Sequence, residues 1–182
     1  MRLTRGFKYG MPGEGSFHAG YGGGIIHAGT LLTMTDCTVT GNRATTGDSE
    51  FCAGGGICNF GTRLEMTRCT VSDNHAEADA AKSASGGGIF TFGDLVMNDC
   101  LIANNTAKSD GGGLYNGYLA ALTGCEVTGN TLTDPGAGAG SGIDVAPTGV
   151  LTLVDSFVWA NTPDPQCLGN INGPGCGTAP PA

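Results

Sequence analysis

The chain has 182 residues, eight basic and sixteen acidic, for a net charge of −8. A surplus of negative charge with no Lys/Arg cluster excludes a phosphate-backbone partner, so no nucleic acid is expected. Its 34 glycines follow no G-X-Y triplet, which excludes collagen, and no apolar run approaches the roughly 20 residues of a membrane span.

In chain order, residues 1–20 read as a lead-in or cap. They hold basic residues but no apolar h-region, so they do not form an intact signal peptide. Residues 21–162 then write one unit five times: a glycine cluster, a short apolar alternation and a closing V-x-x-N-like stop. The copies run Gly22–Asn42, Gly54–Asn74, Gly86–Asn105, Gly111–Asn130 and Gly140–Asn161. Internal repetition at this period dictates architecture before any single residue does.

Within a copy the first strand carries Ile25, Ile57, Ile89, Leu114 or Ile143, followed two residues on by His27, Asn59, Thr91, Asn116 or Val145. A second alternation places Leu32, Leu64, Leu95, Ala120 or Leu151 two residues before Met34, Met66, Met97, Leu122 or Leu153. Period two means a strand with one buried face. The phase then slips by one at Asp36, Arg68, Asp99, Gly124 and Asp155. A slip needs a bend, and Asp or Gly tolerates the left-handed backbone of a tight bend; Arg68 is the exception. The third strand turns Cys37, Cys69, Cys100, Cys125 or Ser156 inward, with Val39, Val71, Ile102, Val127 or Val158.

Three short strands per turn define an all-β, single-stranded parallel β-helix of about five coils. No coil buries its own apolar row, but coils stacked about 4.8 Å apart bury one continuous column. The glycine clusters start 32, 32, 25 and 29 residues apart. The extra length is read as loops at 43–53, 75–85 and 131–139, all leaving from one corner and forming a ridge suited to binding. Residues 163–182 read as a C-terminal cap and tail.

These phrases resemble the GGA(I/L/V)/FxxN repeats of polymorphic outer-membrane and autotransporter-type proteins. They are also similar to secreted right-handed β-helix proteins of the choice-of-anchor type. The matching residues are Gly54–Gly61, Leu64–Met66 and Cys69–Asn74, with equivalents in every copy. The resemblance implies right-handedness, while the glycine-rich, Thr/Asn-rich, lysine-poor composition is what suggests an extracellular or cell-surface location. Cysteine in place of the usual Ser or Thr is the departure.

Asn42, Asn74, Asn105, Asn130 and Asn161 are expected to form an inward ladder of amides that satisfy one another and the turn backbone. Cys37, Cys69, Cys100 and Cys125 form a second structural ladder of reduced, buried thiols. Their parallel side chains aim poorly for disulfides, and a linear ladder cannot surround a tetrahedral zinc ion. Cys52 with Cys58, and Cys167 with Cys176, can each pair in an oxidising compartment. His27 is expected to fill an inward polar slot, and no cofactor is required. The acidic residues Asp48, Glu50, Glu77 and Asp79 offer calcium only loop carboxylates, and the stretch Ala139–Asp144 carries only one degenerate copy of a calcium-binding turn.

Function is less legible. Glu65 has no acidic neighbour in its column, and Glu126 and Asp144 are scattered, so nothing assembles the clustered carboxylates of a glycan-cleaving β-helix. Outward threonine rows break at Leu101, Glu126, Phe157 and Trp159, which disfavours a flat ice-binding face. The leading expectation is a non-catalytic extracellular or cell-surface module, structural or adhesive, with a glycan or protein ligand. One alternative is a carbohydrate-binding or polysaccharide-degrading β-helix whose aromatic contacts include Phe90, Tyr115 and Tyr118. Another is a fibre subunit adding head to tail through an uncapped terminal coil.

Overall fold

The computed structural model describes residues 20–45, 51–135 and 139–181, together with the backbone of Arg2–Leu3. Every apolar alternation in that sequence forms a strand, and every strand pairs in parallel with its counterpart one coil away. The first face stacks Ile25–His27, Ile57–Asn59, Ile89–Thr91, Leu114–Asn116 and Ile143–Val145. The second stacks Leu31–Thr35, Arg63–Thr67, Asp94–Asn98, Leu119–Thr123 and Val150–Val154. The third stacks Thr38–Thr40, Thr70–Ser72, Leu101–Ala103, Glu126–Thr128 and Phe157–Trp159. Four complete turns separate Ile25–His27 from Ile143–Val145, and the fifth coil ends after Phe157–Trp159. Two short strands, Cys167–Leu168 and Ile171–Asn172, then cover the first and second faces.

Register is in phase throughout. Leu32, Leu64, Leu95, Ala120 and Leu151 are direct partners, as are Val39, Val71, Ile102, Val127 and Val158. Like side chains therefore pile on like in a single apolar column. Each fully buried Leu, Ile or Met in it contributes about 1.5–3 kcal/mol before ordering entropy is subtracted.

The predicted phase slip is a left-handed residue in every coil, with φ of 52° at Asp36, 49° at Arg68, 52° at Asp99, 62° at Gly124 and 47° at Asp155. Arg68 occupies this conformation with its guanidinium forked onto Asp36 of the preceding coil, at 2.7 and 2.9 Å. That contact holds the Asp36 carboxyl below the usual carboxylate range. The glycine clusters answer a different demand, close approach: a Cβ on Gly87 would overlap the carbonyl oxygen of Gly112 and the Thr106 backbone.

The asparagines close each coil as expected. The Nδ2 of Asn42, Asn74, Asn105 and Asn130 donates to Oδ1 of the next asparagine at 2.8–3.0 Å. The backbone N–H of each donates to that same oxygen. The second Nδ2 proton of Asn74, Asn105, Asn130 and Asn161 reaches back to a carbonyl of the coil before. At the far end Gln166 stands in for a sixth asparagine, its Oε1 accepting from Asn161 N at 2.7 Å and Asn161 Nδ2 at 3.0 Å. A shorter polar column begins at His27. Asn59 Oδ1 already accepts from Gly61 N, and Asn59 Nδ2 donates to Thr91 Oγ1, so the 2.8 Å contact to His27 requires a proton on Nδ1 of the imidazole.

The segments expected to be loops are partly sheet, which corrects the sequence reading. Arg43–Thr45, His75–Glu77, Thr106–Ala107 and Thr131–Leu132 form a fourth parallel stack, and Phe51–Ala53 pairs with Ser83–Ser85. Their inward residues are mostly small: Ala44, Ala76 and Ala107, with Leu132 at the last rung, pack with Cys52, Ala84 and Ala139 in a satellite core. Alanine in a three-residue run gives too weak an alternation to register as a strand.

Asn105→Ala removes the acceptor for two donors of Asn74 and the donor to Val71 O, all buried. It is expected to cost about 3–5 kcal/mol, read as a lowered urea midpoint at unchanged m-value.

Candidate functional site

The corner between the first and second faces carries an aromatic strip. Phe60 and Phe92, one coil apart, stack with centroids 6.4 Å apart and planes at 11°. Beside them Phe90 and Tyr115, direct partners in the first face, stack at 4.9 Å and 7°. Tyr21 and Phe51 close the flank with tilted and edge contacts. Gly117 continues the Phe60–Phe92 position in the next coil, and a Cβ there would enter the Phe92 ring. Its glycine lets that ring lie flat along the axis.

Phe90 is only 2% exposed, covered by Phe51, Phe60, Phe92 and Tyr115. It cannot offer a face to a ligand, which corrects its assignment as a glycan contact. It is instead the platform on which Phe92 and Tyr115 rest. The exposed members are Phe60 at 37% and Phe92 at 50%, and Tyr115 is half-buried; just beyond Gly117 in the chain, Tyr118 and Leu119 are exposed as well.

Asp144 is the next rung above Tyr115 in the same outward column. It is buried and accepts a 2.8 Å bond from Gly140 N. Burial, with Asp110 nearby, pushes its pKa up to about 6 against the pull of that bond. Asp110 in turn accepts from Ser85 Oγ at 3.0 Å. Burial first, and then the two carboxylates, raise the Tyr115 phenol. This pairing was hidden in the sequence because Asp144 follows a divergent GSG opening, although column alignment does place it after Tyr115.

The possible Cys52–Cys58 bridge does not form: both are free, buried thiols. Cys52 faces the small-residue core on the strand Phe51–Ala53, whereas Cys58 packs under Phe90. The two side chains serve separate clusters. Burial pushes Cys52 up to about 12 and Cys58 higher still. Cys167 and Cys176 are joined by a disulfide with Cα atoms 6.2 Å apart, tying down the two short capping strands.

Of the other acidic candidates, Glu65 pairs with Arg63 at 2.6 Å, Glu126 accepts from Trp159 Nε1 at 2.8 Å, and Glu77 pairs with Arg43. Asp79 lies 3.5 Å from Lys82, and Asp48 and Glu50 fall outside the described residues. Among the described residues no three His, Cys, Asp or Glu side chains converge on one point to hold a metal ion. No helix among them is long and apolar enough to cross a membrane.

The ridge holds a recess of about 320 Å³ lined by Ala76, Glu77, Ala78, Thr106, Lys108 and Thr133. Sequence reading passed over Lys108. Its ammonium donates to the carbonyls of Asp79, Ala80 and Lys82 at 2.7–2.8 Å and so fixes the ridge crest.

A coiled stack of parallel strands with an asparagine ladder defines a parallel β-solenoid. The family model described as "Right handed beta helix region" matches residues 15–158, and the chain belongs to that family. No curated protein and no solved structure matches it significantly.

Two measurements check this geometry. The folded-state pKa of Asp144 exceeds the unfolded value near 3.9, so the native state binds the extra proton. The resulting stability is complete below about pH 4 and is lost as pH rises through 6. Asp144→Asn, which keeps an acceptor for Gly140 N, is expected to flatten that dependence and to stabilise the protein by about 1–3 kcal/mol at pH 8, read by urea melts across pH. Lys108→Met is expected to release the three carbonyls, seen as at least tenfold faster deuterium exchange confined to residues 78–82.

Proposed function

We propose that this chain is a non-catalytic extracellular or cell-surface β-helix module with a structural and adhesive role, engaging its partner through the aromatic corner. The observation that carries this reading is the stacked pair Phe60–Phe92, exposed on a backbone that parallel pairing makes rigid, with the exposed Tyr118 just beyond Gly117 in the next coil. Large aromatic faces held in place lose little conformational entropy on contact and supply most of the energy of a binding surface. The disulfide at the C-terminal cap supports an oxidising compartment.

The stacked spacing of Phe60 and Phe92 favours a saccharide as the ligand, since successive rings along one line suit a chain of sugar faces. Phe92→Ala with Tyr118→Ala leaves the buried column intact. On arrays of glycans and matrix proteins, wild type is expected to retain a ligand that the double variant loses at least tenfold, with the β-sheet circular dichroism spectrum unchanged. Equal retention by both, or release of shortened oligosaccharides from the glycans by wild type, would overturn this reading.

A further inference from the structure

We propose that the inward thiol column binds a soft d10 cation, such as copper(I), silver(I) or mercury(II), held linearly between cysteines of successive coils. Cys37, Cys69, Cys100 and Cys125 lie at equivalent positions, each carbonyl accepting from the strand one coil on. The backbone N–H of Cys69 donates to Cys100 Sγ at 3.3 Å, and that of Cys100 to Cys125 Sγ at 3.4 Å. Such N–H···S bonds stabilise a thiolate. Each thiol in turn donates to a carbonyl of its own coil, Cys69 to Thr67 O at 3.3 Å, Cys100 to Asn98 O at 3.1 Å and Cys125 to Thr123 O at 3.3 Å, and a bound cation takes the place of the proton in that contact.

The geometry that defeats a disulfide suits a two-coordinate ion. In-register side chains one rung apart aim poorly for an S–S bond, and the four column thiols are free. Two collinear metal–thiolate bonds of about 2.3 Å span roughly 4.6 Å, close to the rung spacing of about 4.8 Å. Among the described residues no three His, Cys, Asp or Glu side chains converge on one point, and a linear ion needs only two. The thioethers of Met34, Met66 and Met97 share the same core, so the lining is soft throughout. Thiolates and thioethers select soft cations over zinc's harder competitors.

Charge balances within the core. A divalent ion displaces two thiol protons and leaves a neutral bis-thiolate. A monovalent ion displaces one proton and bridges a thiolate to a neighbouring thiol, again neutral. The protons leave with solvent through Cys37, the one half-buried member of the column.

The test uses silver(I) in chloride-free buffer and a C52A/C58A parent, so that only column thiols titrate. Two double variants of that parent each keep two column cysteines. C37S/C69S leaves Cys100 and Cys125 adjacent, and C69S/C125S leaves Cys37 and Cys100 two rungs apart. Serine is already accommodated in this column at Ser156, whose Oγ accepts from Cys125 N at 3.0 Å. With excess free cysteine as competitor, the adjacent pair is expected to retain silver at least tenfold better than the separated pair. Silver is also expected to raise the parent's melting temperature. Equal retention by the two variants, or a parent destabilised by silver, would overturn the proposal.

Discussion

The structure depends on identical side chains meeting themselves one coil later. In-register parallel pairing makes each residue's environment a copy of itself, so one successful choice is repeated and one poor choice is multiplied. The asparagine ladder is the strictest case. Its donors and acceptors are buried and satisfy each other only if all coils keep step. A slip of one residue would carry the amides to the surface and the outward threonines into the core. Apolar burial supplies the driving force, and the amides specify which alignment it drives.

The same constraint explains where variation is tolerated. Between one asparagine and the next glycine cluster the chain leaves the main stack, and there the coils differ in length. The excursion is not free of structure, because Ala44, Ala76, Ala107 and Leu132 still repeat and still pack. Lys108 then gathers the crest around one ammonium. The ridge is thus a narrower second solenoid leaning on the first.

Much of this was legible in the sequence. Strong alternation of Leu, Ile, Val and Met fixed three faces and their columns, and the left-handed bend was readable from Asp36, Asp99, Gly124 and Asp155. The side sheet was missed because alanine contributes little to an apolar alternation. The aromatic strip was read only in part: the partnership of Phe90 with Tyr115 followed from column alignment, but the cover over Phe90 includes Phe51, which lies between the repeat copies. Asp144 next to Tyr115 required the divergent fifth coil to be placed exactly in step. The failed Cys52–Cys58 pairing shows the opposite limit, since proximity in sequence says nothing about which side of a strand a thiol faces.

The ladder also has a direction. Each asparagine from Asn42 to Asn130 gives its backbone N–H and one amide proton to the coil that follows, so a rung made first waits for a rung made later. During synthesis from the N-terminus, every newly emerged turn completes its predecessor and presents a fresh debt of buried donors to its successor. Gln166, accepting from Asn161 and itself folded back by the disulfide-tied segment, is where that relay stops. The molecule thereby carries its own ruler: the number of turns is terminated by a side chain one methylene longer than the ones it ends.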